Sequence, residues 1–367
     1  MTSKRNYGID ILRILSMIMV VTMHVLIFEL KYNELDVFSA KGIITNILEA
    51  ICFCAVNVYA IITGYVLVKK KPKISRLIDL WLQVVFYLII SCILILILYP
   101  GDFNKIALIK AFIPVISSQY WYFTAYFIMF WFIPLYNWII DHLTMAQFRK
   151  LIVTIFFIFS IIGWISSLLG GTVFGLNDGY SYLWLSFLYF IGAGINMYGT
   201  QLFYMKGEVS QKIIILVALI AGLSTFISKI LIIKLTTLIF GRELFANVFY
   251  LYTSPTVLIE AICLVIYFSN LNIKGSKALT KISGATFGVY LIHLTPFFTN
   301  YCWNFLSKYR TVSIFKYILV IFVSVICIYV VCTLIEMIRL FIFDKLRVCN
   351  ISNKIAEKIN KLMMIFE

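Results

Sequence analysis

Residues 4–28 read KRNYGIDILRILSMIMVVTMHVLIF, an apolar run behind a basic start. A stretch of about twenty apolar residues is long enough to cross a bilayer as a helix. Within it Arg13 and His24 stand eleven residues apart. At 100° per residue the two lie within about 20° of one helix face, roughly 16 Å apart along the axis. An ionisable residue inside a membrane helix is costly and marks a functional site by default. Two on one face, one near each leaflet, describe a helix that addresses both sides of a reaction.

The rest of the chain has the same character. Its 367 residues are 62% hydrophobic and only 13% charged, with a mean hydropathy of +0.99. Soluble domains carry about 25% charged residues, so an all-α, polytopic transmembrane bundle is expected. The net charge of +15 sits in short loops between apolar runs. That is a topology signal facing an anionic membrane surface rather than a nucleic-acid footprint. The eight cysteines include no CxxC pair, so neither a disulfide framework nor a metal site is expected. Asp10 and Arg13 interrupt what could pass for a signal peptide, and no small-x-small cleavage site follows, so the first run is read as a retained span.

About ten apolar segments are long enough to span: 11–30, 46–68, 78–99, 120–140, 151–169, 182–199, 213–233, 246–268, 284–305 and 317–340. With the N-terminus inside, the inner loops hold nineteen Lys and Arg, the outer loops nine, and the spans three. The excess predicts both termini in the cytoplasm. Residues 1–344 form one membrane domain and 345–367 a tail. In the tail Ile351, Ile355, Ile359 and Leu362 form one helical stripe and Lys354, Lys358 and Lys361 another, the pattern of a helix lying on the inner membrane surface against lipid.

Chemistry must then sit among the helices. Of three histidines, His142 follows Asp141 in a short loop, whereas His24 and His293 fall within spans at similar depth. Two roles are open to His24, a hydrogen-bonded interhelical histidine or a functional base. Arg13 is close enough to the inner end to snorkel to phosphate headgroups or to bind an anion. Lys229 is expected to snorkel at the end of its span, and Glu336 to pair with Arg339 at i+3. Asp10 is too far along the axis to reach His24 and is expected to pair with a basic neighbour. Glu260, deep in its span, is the better candidate to orient His24.

Four stretches carry a resemblance. The run IDILRILSMIMVVTMHV (9–25) resembles the opening of the acyltransferase-three family of membrane O-acyltransferases, whose first helix carries Arg-x(10)-His. NVYAIITGYVL (57–67), with Thr63-Gly64-Tyr65, is similar to the family's Ser/Thr-Gly-aromatic segment. YWYFTAYFIMFWFIPLYN (120–137) resembles its fourth-helix region, and SGATFGVYLIHLTP (283–296) its Tyr-Leu-Ile-His segment.

What the resemblance implies is acyl transfer, acetyl foremost, from cytoplasmic acetyl-CoA or another acyl-CoA to a hydroxyl of a cell-surface polysaccharide or lipid-linked glycan. It makes His24 the catalytic base or acyl carrier, with Arg13 at the donor side; Glu260 stays the candidate to support it on its depth in the span. A sugar hydroxyl is a poor nucleophile near neutral pH, so a base is useful; whether His24 deprotonates or first carries the acyl group stays open. In KKKPKISR (69–76), Lys73 and Arg76 could meet the polyanionic donor. Family members often show Arg-x-x-Arg here, and lysine keeps the charge but loses the fork. Thr63, Tyr65, Trp121, Tyr290 and His293 are expected along the substrate channel, Trp121 as a stacking surface for a sugar ring. The compartment implied is a cell membrane, a bacterial cytoplasmic membrane on the Ile-, Lys- and Asn-rich composition.

A transporter or flippase of lipid-linked glycans is the rival reading. It would account for buried charge, with gates near Pro134, Pro255 or Pro296, but has no need of the Arg13–His24 spacing. A glycan polymerase fits less well, because no large outer loop is present.

Overall fold

The computed structural model describes residues 5–31, 34–171, 174–203, 209–303 and 307–363. Among these residues the chain is helical and contains no strand. Helix α1 (Tyr7–His24) starts at Asn6, whose Oδ1 accepts from the backbone N–H groups of Gly8 and Ile9, an ordinary side-chain cap. It runs on through a π-helical turn, Val25–Glu29. The second apolar rod is two helices, α2 (Ala40–Cys52) and α3 (Ala55–Leu67), broken at Phe53 and Cys54. Next come α4 (Ile74–Leu98), the short α5 (Lys105–Phe112) and α6 (Trp121–His142), which keeps Pro134 in its interior. Helix α7 (Met145–Ile155) opens on a Thr144–Gln147 capping box and passes through a π segment into α8 (Gly163–Leu168). The rest are α9 (Tyr182–Tyr198), α10 (Gln211–Phe240), α11 (Pro255–Ser269), α12 (Lys277–His293), α13 (Ile314–Lys345) and α14 (Val348–Met363).

Seven of the described helical rods are long and apolar enough to cross a membrane: Tyr7–Phe28, Ala40–Leu67, Ile74–Leu98, Trp121–His142, Met145–Leu168, Gln211–Phe240 and Ile314–Lys345. The protein is a multi-pass membrane protein on this ground. The other three of the about ten expected spans fall on shorter helices. Helices α9, α11 and α12 have 17, 15 and 17 residues, at most about 25 Å, short of a hydrocarbon core of about 30 Å. They are the interior of the bundle. Every residue of α9 from Trp184 to Ile195 is buried, and a helix cased in protein need not match lipid thickness.

Two segment boundaries also move. The 246–268 run becomes helical only at Pro255, which takes the first helical position, where its missing N–H costs nothing. The 284–305 run breaks after His293, just ahead of Pro296, and resumes from Pro296 through a π-helical turn, Phe298–Cys302, because the residues ahead of a proline leave helical geometry.

Close backbone approach sets the centre of the bundle. A Cβ on Gly64 of α3 would stand 2.0 Å from the Tyr189 carbonyl oxygen of α9, and one on Gly192 of α9 1.9 Å from the Ile61 carbonyl oxygen. Only glycine fits at either position. Helix α1 packs against α2, α3, α11, α12 and α13, which makes it the axis of the fold. Lys229 does not snorkel. It is buried 3.8 Å from Glu49 and lies over the Tyr250 ring at 4.6 Å, since a charge this deep is held by a partner instead of by water. Glu336 and Arg339 pair through contacts of 2.9 and 2.6 Å. The tail helix α14 packs on α4 and α13 with Ser352 and Ala356 buried, and leaves Ile351, Ile355 and Leu362 exposed; residues 364–367 lie outside the described residues.

Candidate active site

Arg13, Met17, Val20 and His24 follow one another at steps of four, three and four residues, so α1 turns all four to one side. They line a cavity of about 460 Å³, within the size range of small-molecule sites. Its opposite walls come from α3, α4, α6 and α12, with Tyr252 from the turn ahead of α11. The interior is largely apolar and aromatic, with charge confined to Arg13 and Arg76.

At the Arg13 end a buried carboxylate organises the site. Asp10 accepts two hydrogen bonds from Arg5, at 2.6 and 3.0 Å, and one from the Ser283 hydroxyl at 3.0 Å. Its contact with Arg13 is looser, 3.5 Å to one guanidinium nitrogen. The Tyr59 hydroxyl donates to the Arg13 carbonyl at 2.7 Å and ties α3 to α1 there. A guanidinium carries five donors, so most of those on Arg13 remain for an anion in the cavity. Arg76, near the start of α4, lines the same cavity.

At the other end His24 meets His293. Nδ1 of His24 lies 2.8 Å from Nε2 of His293, and Nδ1 of His293 lies 2.5 Å from the Val289 carbonyl oxygen one turn back on α12. His293 is fully buried. The Trp303 indole donates to the His293 carbonyl at 3.1 Å, and Phe28 stands between the His24 and Trp303 rings, 5.5 Å from each. Aromatic rings thus pack against the histidine pair on the side away from the cavity.

Aromatic side chains form the remaining walls. Trp121 stacks on Tyr252 at 5.8 Å and packs on Tyr180 at 4.5 Å. Tyr180 is 43% exposed, so this cluster leads outward from the cavity. Tyr290 packs between Tyr122 and Phe287.

Of the residues singled out in the sequence, the structure gathers Arg13, His24, Thr63, Arg76, Trp121 and Tyr290 around one cavity. His293 stands behind His24 instead of in the lining. Lys73 is the exposed residue just before α4 and is not part of the lining. Tyr65 turns the other way, its hydroxyl accepting from the Asn6 amide at 3.3 Å. Glu260 is not brought to His24. Its carboxylate faces α10, where a Cβ on Gly222 would stand 2.9 Å from Oε1, and the partner beside His24 is another histidine. Asp10 binds basic neighbours, as its distance from His24 implied. Among the residues the sequence reading passed over, Tyr59 and Tyr126 line the cavity. Tyr59 lies one turn before Thr63, a same-face spacing that could have found it. Tyr252 has no such signal, because it falls inside the apolar 246–268 run.

A family model described as an acyltransferase domain, that of the acyltransferase-three family, matches residues 6–337 of the 367. No curated protein and no solved structure matches the chain.

Proposed function

Since this chain belongs to the acyltransferase-three family, we propose that it moves an acyl group, acetyl as the smallest case, from an acyl-CoA to a sugar hydroxyl of a cell-surface polysaccharide or lipid-linked glycan. The observation that carries this reading is the single cavity shared by Arg13 and His24 from one face of α1. The N-terminal end of α1, with Arg5, Arg13 and Arg76 close by, is the donor side and faces the cytoplasm, where the basic loops gather. Guanidinium groups suit phosphate and carbonyl oxygens through forked hydrogen bonds. The His24 end, with the Trp121 and Tyr252 rings leading outward, is the acceptor side.

In this reading His24 takes the proton of the acceptor hydroxyl as its oxygen adds to the thioester carbonyl carbon. The carbon–sulfur bond breaks as the tetrahedral adduct collapses. The departing thiolate takes the proton back from the His24 imidazolium, leaving an ester and a free thiol. A positioned base of this kind contributes about 10²- to 10⁴-fold. The apolar walls keep water from competing for the acyl group.

The test is transfer of radiolabel from acetyl-CoA to membrane glycan by the purified protein. His24→Ala is expected to reduce it at least about 100-fold without loss of folded protein. Full transfer by His24→Ala would overturn the mechanism, and export of a lipid-linked glycan without consumption of acyl-CoA would favour a transporter.

A further inference from the structure

The hydrogen bonds behind His24 decide which of its two ring nitrogens is a base. A carbonyl oxygen can only accept, so the Val289 contact, at 2.5 Å, requires a proton on Nδ1 of His293. In the neutral ring Nε2 of His293 then carries a lone pair. At 2.8 Å from it, Nδ1 of His24 must supply the proton. Nε2 of His24 is thereby left bare, and His24 is the member of the pair that lines the cavity. A second proton on His293 would reverse the sequence. It would also place a charge on a side chain that is 0% exposed, and no carboxylate bonds to either ring among the described contacts.

We propose that His293 is a positioning residue: through the Val289 carbonyl it fixes His24 as the Nδ1–H tautomer and presents a bare Nε2 to the acceptor hydroxyl. Helical geometry makes the relay stiff. Val289 and His293 are four residues apart on α12, so the carbonyl that anchors the ring belongs to the same helix. The inference rests on the acyl-transfer reading for its kinetic consequence but not for its geometry.

The chain has only three histidines, so the full-length protein labelled with [¹⁵N]histidine in lipid nanodiscs reports each ring, with assignment by single His→Gln variants. The expected spectrum of the wild type shows His24 protonated on Nδ1 and bare on Nε2. His293→Leu removes the acceptor, and His24 should lose that preference. In activity assays His293→Leu should lower kcat about 100-fold at unchanged KM for acyl-CoA. His293→Gln, whose side-chain carbonyl can reach the position of Nε2, should stay within about tenfold of wild type. A wild-type His24 protonated on Nε2, or equal kcat for the Leu and Gln variants, would overturn the proposal. A wild-type protein that shows the expected tautomer but transfers no acyl group would sink the acyl-transfer reading and leave the relay standing.

Discussion

Asp10 gives Arg13 a contact of 3.5 Å while it takes two from Arg5, at 2.6 and 3.0 Å. The carboxylate charge is therefore spent mainly on Arg5, and Asp10 steers Arg13 without neutralising it. A guanidinium held this way in an apolar cavity keeps its donors for a ligand, which is the arrangement an anionic donor needs.

Asp10→Asn keeps the shape of that residue and removes its charge. Both arginines then lose their anchor, and KM for acyl-CoA is expected to rise about tenfold, or about 1.4 kcal/mol. The kcat should stay within about threefold, because His24 and His293 are untouched. Steady-state kinetics with varied acyl-CoA reads this directly. An unchanged KM would reduce Asp10 to a structural partner of Arg5 and Ser283.

The α3–α9 crossing should be intolerant of a single methyl group. On Gly192 it would stand 1.9 Å from a backbone oxygen, and backbone cannot rotate away as a side chain can. Gly192→Ala is expected to cost about 1–3 kcal/mol or more, seen as a lower thermal midpoint and poorer yield. Gly101→Ala is the control, since nothing lies within 4 Å of a Cβ there. Equal midpoints for the two variants would mean that the helices can separate freely.

The shared face of Arg13 and His24 followed from spacing alone, and the similar depth of His24 and His293 from the order of spans; the structure has them in one site. The side to which Glu260 points could not be read, because its helix is apolar all round and lipid is as apolar as a protein interior. Periodicity then says nothing about which face meets a neighbour. The same loss of contrast hid Tyr252, whose turn is as hydrophobic as the helix that follows it, so that only the Ser254–Pro255 pair marked the start of α11. Lys229 misled for a different reason. Its partner Glu49 lies on α2, far away in sequence, and an ion pair across such a distance leaves no local pattern.

Glu336 is the acceptor for Gln83 at 3.2 Å, Tyr87 at 2.6 Å and Arg339 at 2.9 and 2.6 Å, and it joins α4 to α13 in the buried core. Glu336→Leu leaves the Arg339 charge buried without this partner and is expected to destabilise the protein by about 3–5 kcal/mol. Glu336→Leu with Arg339→Met should recover much of the loss, because two matched apolar groups carry no stranded charge. Thermal unfolding in one detergent compares all three proteins. A double variant no better than the single would place the effect in packing against Gly288, whose Cβ position is 2.2 Å from the carboxylate.

On the proposed reading Trp121 belongs to the acceptor side of the cavity. Its ring lines the cavity and continues into the Tyr252 and Tyr180 rings on the way out, while the arginines lie at the Arg13 end. Stacked aromatic pairs gain about 0.5–1.5 kcal/mol beyond area burial, and a sugar ring stacked on Trp121 is expected to gain a similar amount. Trp121→Ala should therefore raise KM for the glycan about two- to tenfold at saturating acyl-CoA, and Trp121→Phe should recover part of it. KM for acyl-CoA should not move. If it rose instead while the glycan KM held, the aromatic wall would belong to the donor, and the two ends of the cavity would have to exchange their roles.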